Sequence, residues 1–326
     1  MELRQVEHFL AVVRHSGFTA AAQEIHIVQS ALSASVRKLE SDLGAPLFER
    51  TSRGVLLTEA GRALLPVAHR MVADVDAARG EVAAVMGLAR GRVSIGTIQA
   101  LTMVDLPREL GEFRRRHEGV QIHVRDGLVP ALAAAVSDGS LDLAYLAADG
   151  PLPADLAVFA TWRQKLVLVT HPGHRLASRQ RVRLSELDGE PYVDLSGSGM
   201  QEMVRRRFAD AGLRLNAVCE ATHIPLLLEL VAAGLGVTVV PQRVAERAGL
   251  PHATVEKSGL TRTIYLAGRS PVPSNPAARA LLAHLTSQAP TTARNSSSGT
   301  QPASPAIAAR TNTRTAKVSN SRPESS

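Results

Sequence analysis

Residues 18–40 read FTAAAQEIHIVQSALSASVRKLE and hold two helical patterns with only His26, Ile27 and Val28 to join them. So short a joint forces the second helix to cross the first at close range. The small side chains Ala20, Ala21 and Ala22 permit that approach. Upstream, Leu3, Val6, Phe9, Leu10 and Val13 recur at three-to-four spacing, one apolar helical face that Ser16-Gly17 ends. Thr19 can cap the next helix through its hydroxyl. In the helix after the joint, Leu32, Val36, Leu39 and Leu43 form the apolar stripe, Gly44 suits the position past its end, and Pro46 prevents continuation. The opposite face carries Gln29, Ser30, Ser33, Ala34 and Arg37. Short donors and acceptors at the start of a helix suit base edges in a major groove, with Lys38 toward phosphate. The same face also suits the solvated side of an ordinary three-helix domain.

The following residues, APLFERTSRGVLLTEAG, favour the first reading. Leu47-Phe48 and Val55, Leu56 and Leu57 flank a basic turn, which predicts a hairpin wing whose Arg50 and Arg53 touch phosphates beside the groove. The small-residue helix, the Q-S-A-L-S stretch, the L-E-x-x-L-G end, L-F-x-R, R-x-V-x-L-T and the closing A-G together resemble the N-terminal winged helix-turn-helix of LysR-type transcriptional regulators. The resemblance runs without a gap from residue 1 to about 61. It implies that Thr19, Gln29, Ser30, Ser33, Ala34, Arg37 and Lys38, with Arg50 and Arg53, contact double-stranded promoter DNA. Ala34-Ser35 departs from the longer polar side chains frequent there, which bears on the bases read.

Charge agrees with placement rather than total. The chain of 326 residues carries a net +7, yet residues 1–58 hold six basic and six acidic residues. Residues 287–326 are rich in Ser, Thr, Pro and Ala, carry five basic residues against Glu324, and are predicted to be a disordered tail. A weak contact of this tail with phosphate competes with a solvated appendage. Aromatics make up 3% of the chain, too few for base stacking to be the main recognition chemistry. One cysteine, Cys219, excludes an internal disulfide or a four-cysteine zinc site. With no secretory signal and no apolar run of about 18 residues, a cytoplasmic protein without membrane contact is expected.

After Thr58, the residues Leu64, Ala68, Met71, Val75, Ala78, Val82 and Val85 alternate spacings of four and three, a heptad seam that favours helix pairing. A linker helix over 59–87 is predicted, with Pro66 kinking or loosening its first turns. A single helix packed on its own domain is the competing reading. In the family that the N-terminus resembles, this helix pairs two subunits, so self-association as a dimer or tetramer is implied.

From residue 91 strands alternate with helices: GRVSIGTI, VQIHVRDG and LDLAYLA, then QKLVLVT, EPYVDL, RLNAVCEAT and GVTVVP, with RTIYLAG returning late. Alternation of this kind implies parallel βαβ units. The predicted fold class is therefore α/β and multidomain. A winged helix-turn-helix over 1–58 and the linker precede a two-lobed domain over 91–286. The first lobe spans about 91–161 and 266–286, and the second about 162–265. GTIQ…LP, DGSLDLAYL and VAAGLGVTVVP resemble the effector-binding domain of the same family, which has the architecture of periplasmic solute-binding proteins.

Ligands in α/β sheets bind beyond the carboxyl ends of strands. That rule selects Ile98, Gln99, Ala100, Leu101 and Thr102 in one loop and Gly127, Leu128 and Val129 in the next. In the second lobe it selects Ser196, Ser198, Gly199, Met200, Thr222 and His223. A small-molecule effector is expected there, with Ser198, Thr222 and backbone N–H groups able to hold a small carboxylate. Ser196 and Ser198 serve equally well as turn or cap residues, and His223, just before Pro225, suits a structural role. His171 and His174 lack a carboxylate or cysteine at ligand spacing. No metal, cofactor or catalytic residue is expected, and RNA polymerase is a further partner. A solute-binding protein without a transcriptional role is the alternative, but it leaves residues 1–58 unexplained.

Overall fold

Leu3–His15 forms α1, Phe18–Glu24 α2 and Gln29–Leu43 α3. The computed structural model describes residues 1–51, 54–85, 90–150, 152–256 and 260–287. Val6, Phe9 and Leu10 share one core cluster with Leu39, while Val12, Ala21, Ala22, Leu32 and Val36 share another. Burial of a side chain such as Phe9 or Leu32 stabilises by roughly 1.5–3 kcal/mol. His26 in the joint takes φ 55°, the left-handed region that reverses a chain in few residues. Two expectations are corrected here. Thr19 does not cap α2: the cap position is Gly17, and Thr19 is an exposed residue within the helix. Phe18 is already helical, its ring 5.7 Å from that of Phe48. Leu43 is 42% exposed, because it is the last residue before Gly44 turns the chain away at φ 71°.

The wing is an antiparallel pair, Phe48–Thr51 (β1) and Gly54–Leu57 (β2). Glu40 fixes its start by accepting the Leu47 N–H at 2.8 Å. Thr58 fixes its end, since Oγ1 donates to Pro46 O at 2.7 Å and accepts from Gly61 N at 3.0 Å. That second bond caps α4, Glu59–Val85, a helix of 27 residues that continues through Pro66. Leu64, Ala68 and Met71 pack with Leu65 and Val72 onto the core built by α1. These first members of the predicted seam are thus occupied within the chain, and Ala68 is fully buried. Val75 is half-buried, Ala78 exposed, and Val82 67% exposed. Val85 is the last residue of the helix.

The α/β part comprises β3 (Arg90–Thr97), α5 (Leu106–Arg116), β4 (Gly119–Asp126), α6 (Val129–Ser137), β5 (Leu143–Ala148), β6 (Ala157–Val169), β7 (Arg181–Arg183) and β8 (Pro191–Leu195). It continues with α7 (Gly199–Asp210), β9 (Asn216–Ala221), α8 (Ile224–Ala232), β10 (Thr238–Pro241), α9 (Gln242–Ala248), β11 (His252–Glu256), β12 (Thr261–Gly268) and α10 (Pro276–Ser287). The main sheet runs β4-β3-β5-β12-β6-β11-β7, with β10 also on β6. β3 is parallel to β4 and β5, as the alternation requires, whereas β12 is antiparallel to β5 and β6.

β6 is the hinge strand of the architecture. Its residues 157–165 pair with β12, and 166–169 pair with β10. The lobe boundary expected at residue 161 therefore falls inside one continuous strand. Each lobe has its own core, one around Phe113, Tyr145 and Trp162, the other around Leu168, Phe208 and Val239. In the second lobe Gly236 is needed for close approach, since a Cβ there would stand 2.4 Å from Pro191 O. Among the described residues no helix is long and apolar enough to cross a membrane.

Candidate nucleic-acid interface and ligand cleft

α3 presents the first candidate surface. Leu32, Val36 and Leu39 point inward, which leaves Gln29, Ser30, Ala34, Arg37 and Lys38 exposed. Ser33 is corrected: it is only 5% exposed, and its hydroxyl accepts from Gln29 Nε2 at 2.8 Å. Its role is to orient Gln29. Arg37 has no ion-pair partner among the described residues, whereas Lys38 lies 3.7 Å from Glu2. The first turn of α3 carries no acidic residue, so its positive dipole end stays open to an anion. His8 and Ser35 tie α1 to α3 through a 2.7 Å hydrogen bond, and burial, reinforced by Arg4, lowers the His8 pKa. Arg50 lies on β1; Arg53 lies outside the described residues.

The second candidate surface is the cleft between the lobes. Ile98, Gln99, Ala100, Val129, Ser196, Ser198, Gly199 and Met200 line a chamber of about 40 Å3, together with Gly127, Leu128, Leu195 and Arg262. A wider mouth of about 500 Å3 shares Val129, Ser198 and Gly199 with it. Four predicted residues lie elsewhere, and each has a local reason. Leu101 packs on the first-lobe core. Thr102 is buried, its Oγ1 accepting from Gln164 Nε2 at 3.0 Å. Thr222 contributes its carbonyl, which accepts from Gln99 Nε2 at 3.4 Å. His223 caps α8 by accepting the Leu226 N–H at 3.3 Å, the structural role its place before Pro225 suggested. Ser198 lines the chamber but is also the cap of α7: its Oγ accepts from Gln201 N at 3.1 Å and donates to Leu195 O at 2.8 Å.

Arg262 has no counterpart among the residues predicted from the sequence. It sits opposite Gln164 across the β6–β12 pair, and its Nε donates to Gln164 Oε1 at 2.6 Å. Burial pulls its pKa down to about 10, still charged at neutral pH. A signal was present in the sequence: Leu260, Ile264 and Leu266 share its face of β12, and an arginine interrupts that apolar alternation. Across the mouth, Asp149 of the first lobe meets Arg206 at 3.5 Å and Arg207 at 3.4 Å of the second.

The sequence model described as bacterial regulatory helix-turn-helix protein, lysR family, matches residues 3–62, and that described as LysR substrate binding domain matches residues 86–290. The chain belongs to the LysR family. It is a DNA-binding transcriptional regulator with an effector-binding domain. A relative from Pectobacterium carotovorum subsp. carotovorum, a hydrogen peroxide-inducible genes activator, is 31% identical over 275 residues, 82% of this chain and 90% of that protein. A full-length, singly substituted OxyR from Pseudomonas aeruginosa has the same fold at TM-score 0.68 and 21% identity, covering 93% of this chain and 99% of that one. Full-length CbnR in complex with its target DNA matches at TM-score 0.61 and 22% identity, covering 89% of this chain and 100% of that one. The matched models and relatives are named as regulators. Glu109, Glu112 and His284 do approach one another within metal-ligand distance. Their partners lie within the chain: Arg108 donates to Glu112 at 3.0 Å, His284 Nε2 lies 3.1 Å from Glu109 Oε2, and Arg116 donates to His284 Nδ1 at 3.4 Å.

α4 lies along the first lobe of this LysR-family chain. His69 bonds Asp138 at 3.2 Å, Glu81 pairs with Arg279 at 2.5 Å, and Gly80 packs on Pro276.

Proposed function

We propose that this regulator reads promoter DNA with the exposed edge of α3, pairs through the distal part of α4, and is switched by a small molecule in the interlobe cleft. Gln29, Ser30, Ala34 and Arg37 are assigned to base edges, with Lys38, Arg50 and Arg53 on phosphates. The carrying observation is the polarity of α3: three apolar residues seal it to the domain while the opposite edge stays solvent-exposed at the start of the helix. An α-helix presented this way fits a major groove. CbnR, which shares this fold and is seen in complex with its target DNA, supports the same use of it here.

Pairing has a physical rationale, because one short helix reads few base pairs and two half-sites multiply discrimination. Exposed Ala78 and Val82 offer an apolar strip beyond the segment that α1 covers. A dimer or tetramer acting in the cytoplasm, with RNA polymerase as the downstream partner, completes the reading, and no catalytic step is assigned. Footprinting of the DNA upstream of its own gene, with and without a panel of metabolites, tests it. Protection of two half-sites about one helical turn apart, altered by one metabolite, is expected; no protected fragment at moderate salt would overturn it.

A further inference from the structure

The inner chamber of the cleft holds a charge without a countercharge. Arg262 is 8% exposed, and its polar contacts among the described residues are Gln164 Oε1 and, at 3.5 Å, Ala100 O. Among the described residues no carboxylate pairs with it, and burial alone lowers its pKa. A guanidinium has five donors, of which these contacts use two. No Asp or Glu lines the chamber, and most of its wall is apolar, with Ile98, Leu128, Val129, Leu195 and Met200. Holding an ion so deeply without a countercharge is unfavourable. Such an arrangement is reasonable where a ligand brings the missing charge.

Size and geometry narrow that ligand. A water-sized probe needs roughly 10–15 Å3, so the chamber of about 40 Å3 takes three non-hydrogen atoms. A planar carboxylate has three, and it matches the guanidinium fork with two parallel hydrogen bonds. The mouth beyond, sharing Val129 and Gly199, is lined in part by Pro130, Ala147 and Ala148 and can take an apolar body. A second anionic group would meet no unpaired cation there: Arg205 is held by Asp194 at 3.0 Å and Glu220 at 3.1 Å, and Arg206 by Asp149 at 3.5 Å.

We infer that Arg262 is the anion anchor of the cleft and that the effector is a small monocarboxylate, its carboxylate in the inner chamber and its apolar remainder in the mouth. This rests on the reading of the cleft as the effector site.

Calorimetric titration of the full-length protein tests it, with millimolar sodium butyrate and sodium benzoate against butyramide and benzamide, and with sodium nitrate as an inorganic anion. At least one carboxylate is expected to bind and its amide to bind at least roughly tenfold more weakly. Arg262→Gln should weaken the carboxylate by a similar factor, and Arg262→Lys, which keeps the charge but not the fork, by less. Circular dichroism melts establish that each variant folds; if the Gln variant does not, the Lys variant must still bind more weakly than the native chain. Equal binding of acid and amide, unchanged binding by either variant, binding of nitrate alone, or no binding would each overturn the anchor. Gly199→Leu separates this from the cleft reading, because Gly199 lines both chamber and mouth and a Cβ there meets nothing within 4 Å, so the added side chain takes cleft space without a clash at its root. Amides that bind the native chain as tightly as the acids, yet do not bind Gly199→Leu, keep the cleft and remove only the role of Arg262. A carboxylate indifferent to Gly199→Leu removes the cleft as well.

Discussion

Gly61 and Gly111 both lie in helices, yet replacing each with alanine should change stability in opposite directions. At Gly61, the third residue of α4, an added Cβ would stand 2.2 Å from Leu47 O and 2.7 Å from Leu57 Cδ2. Neither neighbour can retreat freely. Leu47 O accepts the Thr58 N–H at 3.0 Å, the bond that joins wing to linker helix, and Leu57 belongs to β2. Overpacking costs about 1–3 kcal/mol, and an obstructing backbone atom places this case at the upper end. Alanine recovers at most ~1 kcal/mol of helix propensity, and less in a first turn. The net loss is about 2 kcal/mol. At Gly111, in the middle of α5, the nearest obstacle is the flexible end of Arg115 at 3.8 Å. There the propensity gain stands nearly alone, about 0.5–1 kcal/mol. The single tryptophan, Trp162, is in the first-lobe core with Phe113 of α5, so its fluorescence follows that lobe. Gly111→Ala should raise the melting point seen by tryptophan fluorescence. Gly61→Ala should lower that of an earlier helical transition in circular dichroism, and weaken DNA binding by misaiming the wing. A Gly61→Ala protein that melts no earlier than the native chain would refute the close-approach reasoning.

Three further outcomes are expected. Arg37→Ala should reduce discrimination between a specific promoter fragment and random DNA by roughly 1–3 kcal/mol; equal loss on both, by fluorescence anisotropy, would place Arg37 on phosphate instead. Val82→Asp introduces a charge at a site already 67% exposed in the single chain, so folding should survive while oligomer mass by light scattering falls. Unaltered mass would move the pairing surface away from α4. Lastly, burial lowers the His8 pKa below its ordinary 6.5, so as pH falls through about 6.5 the unfolded chain takes up a proton before the folded one does. His8 therefore contributes nothing to pH dependence above that value, and stability declines below it until the folded pKa is passed. His8→Asn should flatten that part of a melting-point profile against pH, and an identical slope would refute the assignment.

The DNA-binding half was legible because its signals are local. A three-residue joint, an alanine-rich helix and a stripe at helical spacing leave few arrangements, and Gly44 and Pro46 mark where α3 must stop. Thr58 and Gly61 were visible as motif letters, and the structure supplies their causes: a double hydrogen bond and a carbonyl 2.2 Å from a missing Cβ. The linker seam was half legible. Heptad spacing shows that a face is apolar, not what covers it, and Leu64, Ala68 and Met71 turn out to serve the chain's own core. In the cleft, the rule of strand ends found the loops but not which side chains turn inward. Thr102 is claimed by Gln164, 62 positions away in sequence, and His223 by its own helix. Arg262 was missed because a strand end is where ligands are sought, whereas it sits inside a strand that crosses between lobes.

The route by which a ligand could reach the DNA follows from where α4 rests. Its described polar contacts to the C-terminal domain, His69 to Asp138 and Glu81 to Arg279, join elements of the first lobe, and its packing partners there are β3 and α10. The wing and α3 are in turn fixed to α4 through Thr58 and the α1 core. These contacts tie DNA-reading unit, linker helix and first lobe together, so a ligand-driven motion would be one of the second lobe. β6 and β12 permit that motion because they cross between the lobes, while Asp149 with Arg206 and Arg207 opposes opening. A ligand seated on Arg262 changes this balance only by binding one lobe arrangement more tightly than the other. A ligand larger than a carboxylate group must extend from the chamber of about 40 Å3 into the mouth, past Val129 and Gly199. Because Val129 lies in the first lobe and Ser198 and Gly199 in the second, the affinity of such a ligand depends on the angle between the lobes.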